Sequence, residues 1–173
     1  MEVLSTIDQV RARTARARAA GGRVGLVPTM GALHAGHVSL IGAAVADGCD
    51  ALVTVFVNPL QFAAGEDLDA YPRPIEADLA AAQAAGATWV FVPGDGEMYP
   101  QEPLTTVSVA GLGDVMEGAS RPTHFAGVAT VVTKLFAITG ACRAYFGEKD
   151  FQQLAIVTRV AADLSLPVDV VGC

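Results

Sequence analysis

Apolar and polar positions along the chain form two alternating patterns. Short runs rich in Val, Leu and Phe predict buried strands, whereas apolar positions three and four residues apart predict helices. The predicted strands cover residues 24–27, 51–57, 88–92, 104–109, 143–146 and 167–171. The predicted helices cover 3–20, 36–46, 74–85, 125–138 and 150–164, with a single helical turn at 111–117. Prolines and glycines predict loops at 60–73 and 93–103.

The strands are apolar throughout rather than alternately apolar and polar. Such strands are buried on both faces, which is typical of a parallel sheet covered by helices. We therefore predict an α/β fold: a Rossmann-like, doubly wound, mostly parallel sheet with helices on both faces. The chain has 173 residues, of which 52% are hydrophobic, and a mean hydropathy of +0.43. This is enough for one domain with a large core and excludes global disorder.

The charge balance excludes some partners. There are 11 Lys and Arg residues against 18 Asp and Glu, so the net charge is −7. Because affinity for the nucleic-acid backbone comes from basic side chains, we expect no nucleic-acid partner. The longest apolar stretch, 125–138, contains Lys134 and is shorter than the roughly 20 residues of a membrane helix. We therefore expect no membrane partner.

The cysteines and the N-terminal arginines bear on where in the cell the protein is located. Cys49, Cys142 and Cys173 are an odd, widely spaced set with no Cys-x-x-Cys pair, which suits a reducing compartment, and we expect a cytoplasmic protein. Five arginines lie before residue 24, but Glu2 and Asp8 interrupt this segment and no apolar signal core follows. We interpret them as a solvated helix face rather than a targeting peptide or an anion-binding patch.

His34 and His37 are candidates for chemistry. They lie three residues apart at the start of a predicted helix, so both rings can project to one side. Free amides and partial positive charge at a helix N-terminus favour phosphate binding and neutral imidazoles that donate hydrogen bonds. Gly31 and Gly36 would leave the backbone open to close approach. From residue types alone a helix cap with a packed ring remains open, and a metal pair is disfavoured because no third ligand has suitable spacing.

Two further loops follow predicted strands. Asn58 begins the loop after the second strand, and residues 147–150 follow the strand that ends at Phe146. Because the carboxyl ends of parallel strands meet at one edge of a sheet, we expect these loops to converge with the histidines. No P-loop, dinucleotide fingerprint or Gly-x-Ser-x-Gly elbow is present. A common nucleotide motif therefore does not explain the site.

Segment 27–37, Val-Pro-Thr-Met-Gly-Ala-Leu-His-Ala-Gly-His, resembles the His-x-Gly-His signature of the nucleotidylyltransferase superfamily. Segments 56–62, 121–128 and 145–154 resemble, in order and spacing, the pantothenate synthetase (pantoate–beta-alanine ligase) family. The resemblance covers nearly the whole chain. It implies an ATP-dependent ligase in which pantoate attacks the α-phosphate of Mg²⁺-ATP, and β-alanine then displaces AMP from pantoyl adenylate to give pantothenate. ATP with Mg²⁺ is then a substrate, with no tightly bound cofactor and no metal ligands from the protein.

The resemblance also implies site residues. The ATP-binding residues would be Met30, Gly31, Ala32, Leu33, His34, Ala35, Gly36, His37, Gly147, Glu148, Lys149 and Asp150. The catalytic residues would be His37, His34 and Lys149, with the histidines stabilising charge at phosphorus and Lys149 reaching the outer phosphates. Without the resemblance, Lys149 and Asp150 would be interpreted as an exposed pair.

Pantoate would be held by two neutral amides, Gln61 and Gln153, which orient a carboxylate without quenching its nucleophilicity. By the same resemblance Gln61 lies near β-alanine. Asn58 and Tyr71 are weaker candidates for pantoate binding, since either could be pocket wall or loop structure. Bare glutamines in loops are usually just solvated.

Members of the family continue into a Ser-Ser-Arg-Asn-type segment and a smaller carboxy-terminal lid domain, and they dimerise through the domain that this chain resembles. We therefore expect residues 1–173 to be a single nucleotide-binding domain without the lid, weakly active or inactive alone, and a homodimer. Alternative functions are another small-molecule nucleotidylyltransferase, or a non-catalytic nucleotide-binding or dimerisation module.

Overall fold

The computed structural model describes residues 1–62, 68 and 70–173. In this part of the chain, six strands form one sheet in which every neighbouring pair is parallel. The strands are β1 (Glu2–Leu4), β2 (Arg23–Thr29), β3 (Cys49–Val55), β4 (Trp89–Phe91), β5 (Cys142–Phe146) and β6 (Val168–Gly172). Their order across the sheet is β1-β4-β3-β2-β5-β6. This confirms the predicted α/β, doubly wound parallel architecture.

Helices connect the strands and cover both faces of the sheet. They are α1 (Ile7–Ala19), α2 (Ala35–Ala46), α3 (Ile75–Ala84), α4 (Asp95–Met98), α5 (Glu117–Ser120), α6 (His124–Thr139) and α7 (Phe151–Asp163). Two 3₁₀ turns, Pro59–Gln61 and Glu148–Asp150, lie between them. Each turn directly follows the end of a central strand or its loop, so side chains of these turns are held near the carboxyl edge of the sheet.

The core has one apolar cluster on each face of the sheet. The larger cluster joins buried residues of α1, α6 and α7 to the strands, and Phe136 and Ile156 are among its fully buried members. The smaller cluster packs α2 and α3 against the other face through Ile41, Ala44 and Ala82. Both clusters contain strand residues, so the strands are buried on both faces, which is why their sequences are continuously apolar.

The start of one predicted helix and one predicted strand were wrong, whereas the rest of that helix is confirmed as α1, which begins at Ile7. The predicted first helix begins at Val3, but Val3 and Leu4 belong to β1, which pairs with β4 at the edge of the sheet. Leu4 is fully buried there, so its apolar character reports sheet packing rather than a helix face. The segment 104–109, a predicted strand, has no regular secondary structure and pairs with no strand among the described residues.

Other differences concern boundaries. β2 continues through Pro28 to Thr29, and β3 ends at Val55, two residues earlier than predicted. The predicted loop 93–103 contains the short helix α4. The predicted turn at 111–117 is shorter, with the Gly113 amide donating to the Val109 carbonyl at 3.0 Å, and α5 begins at Glu117. Within the described residues, no helix combines the length and apolar character that crossing a membrane requires.

Candidate functional site

A cavity of about 240 Å³ opens at the carboxyl ends of β2, β3 and β5. β2 lies where the strand order changes direction, with β3 on one side and β5 on the other; in parallel α/β sheets this is where ligands bind. Apolar side chains of α6, among them Val128 and Leu135, line one wall. The other lining side chains that matter here are Met30, His37, Gln61, Tyr71, Asp150 and Gln153. Three loops that are remote in sequence therefore meet at one edge, as predicted.

The two histidines are oriented by backbone donors at the start of α2. The Gly36 amide donates to His34 Nδ1 at 3.1 Å, and the His34 amide donates to His37 Nδ1 at 3.4 Å. A ring nitrogen that accepts a hydrogen bond carries no proton, so in each ring the proton is on Nε2. The ring centroids are 4.1 Å apart. The arrangement presents two neighbouring Nε2–H donors, and only His37 lines the cavity directly.

The environment of His37 keeps it neutral. Its pKa lies below the ordinary histidine value because burial disfavours the cation and His34 stands beside it. Asp78 and Asp150 act in the opposite direction and do not outweigh burial. A neutral His37 can donate one hydrogen bond to a phosphate oxygen without carrying a full charge.

The sequence analysis predicts that the backbone before α2 is open to close approach by a ligand. In the structure, its amides instead form hydrogen bonds within the chain. The amides of Ala32 and Leu33 donate to the Asp78 carboxylate at 2.9 and 2.6 Å, and that of Gly31 donates to Thr29 Oγ1 at 3.1 Å. The glycines are required by crowding within the chain: a Cβ on Gly31 would lie 2.9 Å from Asp78 Oδ2. The donors that this loop offers to phosphate are therefore the imidazoles rather than these amides.

Asp78 is a site residue that the sequence analysis missed. It lies in the first turns of α3, 45 residues after Leu33, and is 2% exposed. A sequence signal was available, because Asp78 shares a buried helix face with Ala82, four residues later. A carboxylate on the buried face of a helix requires partners, since burying a charge without hydrogen bonds is costly.

Gln61 is held by a chain of buried hydrogen bonds that fixes the orientation of its amide. The Gly127 carbonyl accepts from Asn58 Nδ2 at 3.1 Å, which defines the nitrogen of that side chain. Asn58 Nδ2 also donates to Gln61 Oε1 at 2.9 Å. The oxygen of Gln61 is therefore turned inward, and its NH₂ group has no hydrogen-bond partner among the described residues. Gln61 thus offers donors, not an acceptor, to whatever occupies the cavity.

Asn58 does not line the cavity but holds Gln61, which does, through a hydrogen bond. It is 1% exposed, and its oxygen accepts from the Tyr99 hydroxyl at 2.9 Å. Burial raises the pKa of Tyr99 to about 12, so this hydroxyl remains a donor at neutral pH. The close packing of α6 on the 3₁₀ turn Pro59–Gln61 depends on Gly127, because a Cβ there would lie 2.1 Å from the Leu60 carbonyl oxygen. The sequence prediction placed Asn58 on pantoate, whereas its geometry fits a positioning role.

A second cavity of about 400 Å³ adjoins the first and shares Met30, Gln61, Asp150 and Gln153 with it. Lys149 lines this second cavity, with its side chain 93% exposed and its Nζ 3.4 Å from Asp150 Oδ1. A cation held this loosely is free to move onto an incoming anion. The second cavity is thus suited to the charged end of an elongated ligand.

The remaining predicted residues divide into those near the cavities and those that face elsewhere. Tyr71 is half-buried and packs edge-on against Phe62, and burial raises its pKa. The Glu148 side chain lies against Gly172 at the end of β6 rather than in either cavity. His124 Nδ1–H donates to the Gln61 carbonyl oxygen at 3.0 Å, and His124 lines the second cavity.

The remaining ATP-binding predictions concern backbone positions. Ala35 and Gly36 are exposed at the start of α2, and Gly147 connects β5 to the turn that carries Lys149. In the described part of the chain, no group of three or more His, Cys, Asp or Glu side chains could hold a metal ion. The two cavities are lined by imidazole, amide, hydroxyl and carboxylate groups together with the basic side chains of Lys149 and Arg121, the latter paired with Glu117 at 3.0 Å.

Comparison with known proteins links this geometry to a family. The family model described as Pantoate-beta-alanine ligase matches residues 2–173. A pantothenate synthetase from Brucella anthropi is 54% identical over 172 residues, covering 99% of this chain and 60% of that protein. The chain thus spans about 60% of the length of the curated relatives it matches.

Solved structures agree with this match. A crystal structure of pantothenate synthetase from Thermus thermophilus has a TM-score of 0.93 and 49% identity, covering all of this chain and 61% of that one. A pantoate-beta-alanine ligase from Francisella tularensis, complexed with beta-gamma ATP and beta-alanine, has a TM-score of 0.94 and 33% identity. This chain is covered completely in that comparison, and the other chain to 66%.

Proposed function

This chain belongs to the pantoate-beta-alanine ligase family, and on that basis we propose that it carries the nucleotide- and pantoate-binding part of an ATP-dependent ligase. The reaction is the condensation of pantoate with β-alanine through pantoyl adenylate, with release of pyrophosphate and AMP. Residues 1–173 form its nucleotide-binding domain. The observation that carries the proposal is the convergence of His37, Gln61 and Gln153 around one cavity, although they lie in three remote segments.

The geometry suits adenylation of a carboxylate. Pantoate attacks the α-phosphorus of ATP, which enters with Mg²⁺ as part of the substrate, and pyrophosphate leaves. Such a step requires positioning and stabilisation of negative charge on phosphate oxygens, and no covalent nucleophile from the protein. The Nε2–H groups of His34 and His37 supply donors on one side, and the mobile ammonium of Lys149 supplies charge for the departing pyrophosphate.

The amide arrangement suits the acid substrate. Gln61 presents its NH₂ group to the cavity, so it donates to the oxygens of pantoate. Gln153 lies across both cavities and contributes a second amide. A neutral donor orients the carboxylate without forming an ion pair that would lower its nucleophilicity. In the second step the amine of β-alanine attacks the acyl carbon beside Gln61, and AMP leaves.

Binding, measured calorimetrically, tests the proposal. Mg²⁺-ATP is titrated into the chain with and without pantoate, and then into Lys149→Gln. The matched control is Arg16→Gln, which removes an exposed positive charge from the last turn of α1. We expect Lys149→Gln to weaken ATP binding about tenfold, as loss of one charged phosphate contact does. Arg16→Gln should bind as the unmodified chain does.

Each result has a distinct meaning. Tighter ATP binding in the presence of pantoate supports the ligase, because both substrates then occupy neighbouring parts of one site. Pantoate that neither binds nor changes ATP affinity would refute the proposed substrate. An equal loss of affinity in both charge variants would show that Lys149 acts through net charge and not through contact.

We also propose that the protein is a cytoplasmic homodimer. All three cysteines are free thiols, which supports a reducing compartment. Segment 103–109 supports the dimer: Leu104 is 98% exposed, while Val107 and Val109 pack on the core. The backbone amides of 104–106 and 108 have no hydrogen-bond partner among the described residues. A strand-forming sequence with an open edge fits pairing with the same segment of a second copy.

Sedimentation measurements test the dimer. Leu104→Asp places a charge in the proposed interface and should shift the protein to monomer. The control, Leu164→Asp, introduces the same charge at a 48% exposed leucine at the end of α7 and should leave the dimer intact. A monomeric unmodified chain, or a dimer unaffected by Leu104→Asp, would refute this interface.

A further inference from the structure

Asp78 is a buried carboxylate whose hydrogen bonds all go to the loop before His34. Its Oδ2 accepts from the Ala32 amide at 2.9 Å, and its Oδ1 accepts from the Leu33 amide at 2.6 Å. The residue is 2% exposed, and none of the described basic side chains forms an ion pair with it. Two backbone dipoles therefore compensate a buried negative charge.

The loop that Asp78 contacts is strained. Gly31 has a φ of +87° and Ala32 a φ of +50°, so two successive residues adopt the left-handed conformation. For alanine this conformation is unfavourable and persists only where the surroundings enforce it. The Asp78 carboxylate bonds Ala32 itself and the residue after it. These bonds close the turn immediately before the histidines.

The position of His34 depends on this turn. His34 caps α2 with backbone φ −125° and ψ −179°, directly after Leu33, and its amide and Nδ1 form the hydrogen bonds that set both imidazole tautomers. A shift of Leu33 would move the His34 amide away from His37 Nδ1, a contact that is already 3.4 Å long. The orientation of both rings thus rests on a carboxylate from a different helix.

We propose that Asp78 is the positioning residue of the histidine loop: it holds Gly31 and Ala32 in their left-handed conformation, fixes the backbone that leads into His34, and thereby orients His34 and the His37 imidazole that lines the cavity. Asp78 does not touch the substrate in this arrangement, since it acts through the backbone of Ala32 and Leu33. The consequence for phosphate binding rests on the proposed function, whereas the consequence for the loop does not. The two consequences can therefore be measured separately.

The test uses Asp78→Asn, which preserves size but replaces one acceptor oxygen with an NH₂ group that faces an amide donor. Glu76→Gln is the matched control, because it removes a carboxylate from the same helix turn where the side chain is exposed. Amide hydrogen exchange and imidazole ¹⁵N spectra are recorded for both variants, with ATP binding measured calorimetrically.

In Asp78→Asn we expect the Leu33 amide to exchange about tenfold faster, as for one lost hydrogen bond. The imidazole spectra of His34 and His37 should change from one tautomer to a mixture, and ATP binding should weaken about tenfold. In Glu76→Gln none of these should change. Unaltered Leu33 exchange and tautomers in Asp78→Asn would overturn the proposal. Uniformly faster exchange throughout β2 and α3 would also overturn it, because Asp78 would then support the whole fold.

Gly31→Ala provides the second variant if Asp78→Asn does not fold. Its Cβ would lie 2.9 Å from Asp78 Oδ2 and would force the loop away from an intact carboxylate. We expect the same local exchange and tautomer changes, and little further loss when both substitutions are combined, because they break one contact. Additive effects would contradict the proposal. If no variant and no unmodified chain binds ATP, the proposed function fails, and the loop measurements still decide the role of Asp78.

Discussion

Gly127→Ala tests how closely the cavity depends on the packing of α6 against the 3₁₀ turn Pro59–Gln61. The added methyl group would lie 2.1 Å from the Leu60 carbonyl oxygen and 2.7 Å from the Gln61 backbone nitrogen. Both atoms belong to backbone, so no side chain can rotate to relieve the contact. The helix and the turn must separate by about 1 Å, because contacts this short do not persist in packed interiors.

The energetic cost has two parts. Overpacking of a well-packed contact costs about 1–3 kcal/mol. The separation also stretches the 3.1 Å bond from Asn58 Nδ2 to the Gly127 carbonyl beyond hydrogen-bond distance, which adds about 1 kcal/mol for a buried polar pair. Together these effects amount to about 3 kcal/mol, or a fall in Tm of about 9 °C for a domain of this size.

Thermal unfolding followed by circular dichroism measures this effect against a matched control. Gly42→Ala is the same substitution inside α2, at an exposed position with nothing within 4 Å of the added Cβ. Because alanine favours a helix over glycine by about 0.5–1 kcal/mol, Gly42→Ala should raise Tm by about 2 °C. The two substitutions are chemically identical and should shift Tm in opposite directions.

A Tm for Gly127→Ala at or above that of the unmodified chain would refute the packing argument. Pantoate binding supplies a second measurement, since Gln61 is held through Asn58 by the Gly127 carbonyl. We expect Gly127→Ala to bind pantoate at least about tenfold more weakly at a temperature where both proteins are folded. A destabilised variant with normal pantoate affinity would show that the contact supports the fold but does not position the amide.

Three further predictions concern single side chains. Gln61→Glu replaces the NH₂ donor with an anion and should weaken pantoate binding about a hundredfold by calorimetry, whereas the exposed Gln83→Glu should not. Because the His37 pKa is lowered on folding, the unfolded chain binds more protons just below pH 6.5, so the free energy of unfolding should decrease as the pH is lowered through that range. Denaturant titration should show a smaller decrease in His37→Gln. With a thiol reagent, exposed Cys173 should react in the native protein, and Cys142, whose pKa burial raises to about 12, only on unfolding.

The central sheet could be predicted from the sequence because its signal is local. β2, β3 and β5 are buried on both faces, so each is a continuous apolar run, and the loops at their carboxyl ends carry the histidines and Lys149. The rule that parallel strands present their carboxyl ends at one edge then assembles the site without any contact information. The family model matches the family that segments 27–37, 56–62, 121–128 and 145–154 resemble.

The errors occurred where the partner of a segment decides its structure. Val3 and Leu4 fit a helical spacing with Ile7 and Val10, but an edge strand opposite β4 was available and buried Leu4 completely. Tertiary pairing overrides a weak local pattern in such cases. Segment 104–109 has the composition of a strand, yet it pairs with no neighbouring strand in the described part of the chain. Neither outcome is encoded in the segment itself.

In the candidate site, too, some residues could be predicted from the sequence and others could not. Gln61 and Gln153 were predicted as residues that face a ligand, and both line the cavity. The residues that hold such side chains in place could not be predicted, because they act across long sequence separations. Asp78 reaches the histidine loop from 45 residues away, and the Gly127 carbonyl lies 69 residues from Asn58. A sequence motif identifies the side chains that would contact a substrate. Their orientation is set by the Asp78 carboxylate and the Gly127 carbonyl, which lie far from those side chains in the sequence.

The polar lining of the main cavity consists mainly of neutral groups in a chain of net charge −7. Two anionic substrates would have to meet there, and a cluster of buried cations would hold them tightly but would also stabilise the attacking carboxylate in its ground state. Catalysis gains only from interactions that strengthen in the transition state. In the proposed reaction, oriented donors such as His37 Nε2–H and Gln61 Nε2 would meet that requirement, because their hydrogen bonds would strengthen as charge builds on substrate oxygens. These donors stabilise charge only if their orientation is fixed. Buried, hydrogen-bonded groups fix it: Asp78 holds the histidine loop, and Asn58 with the Gly127 carbonyl holds Gln61.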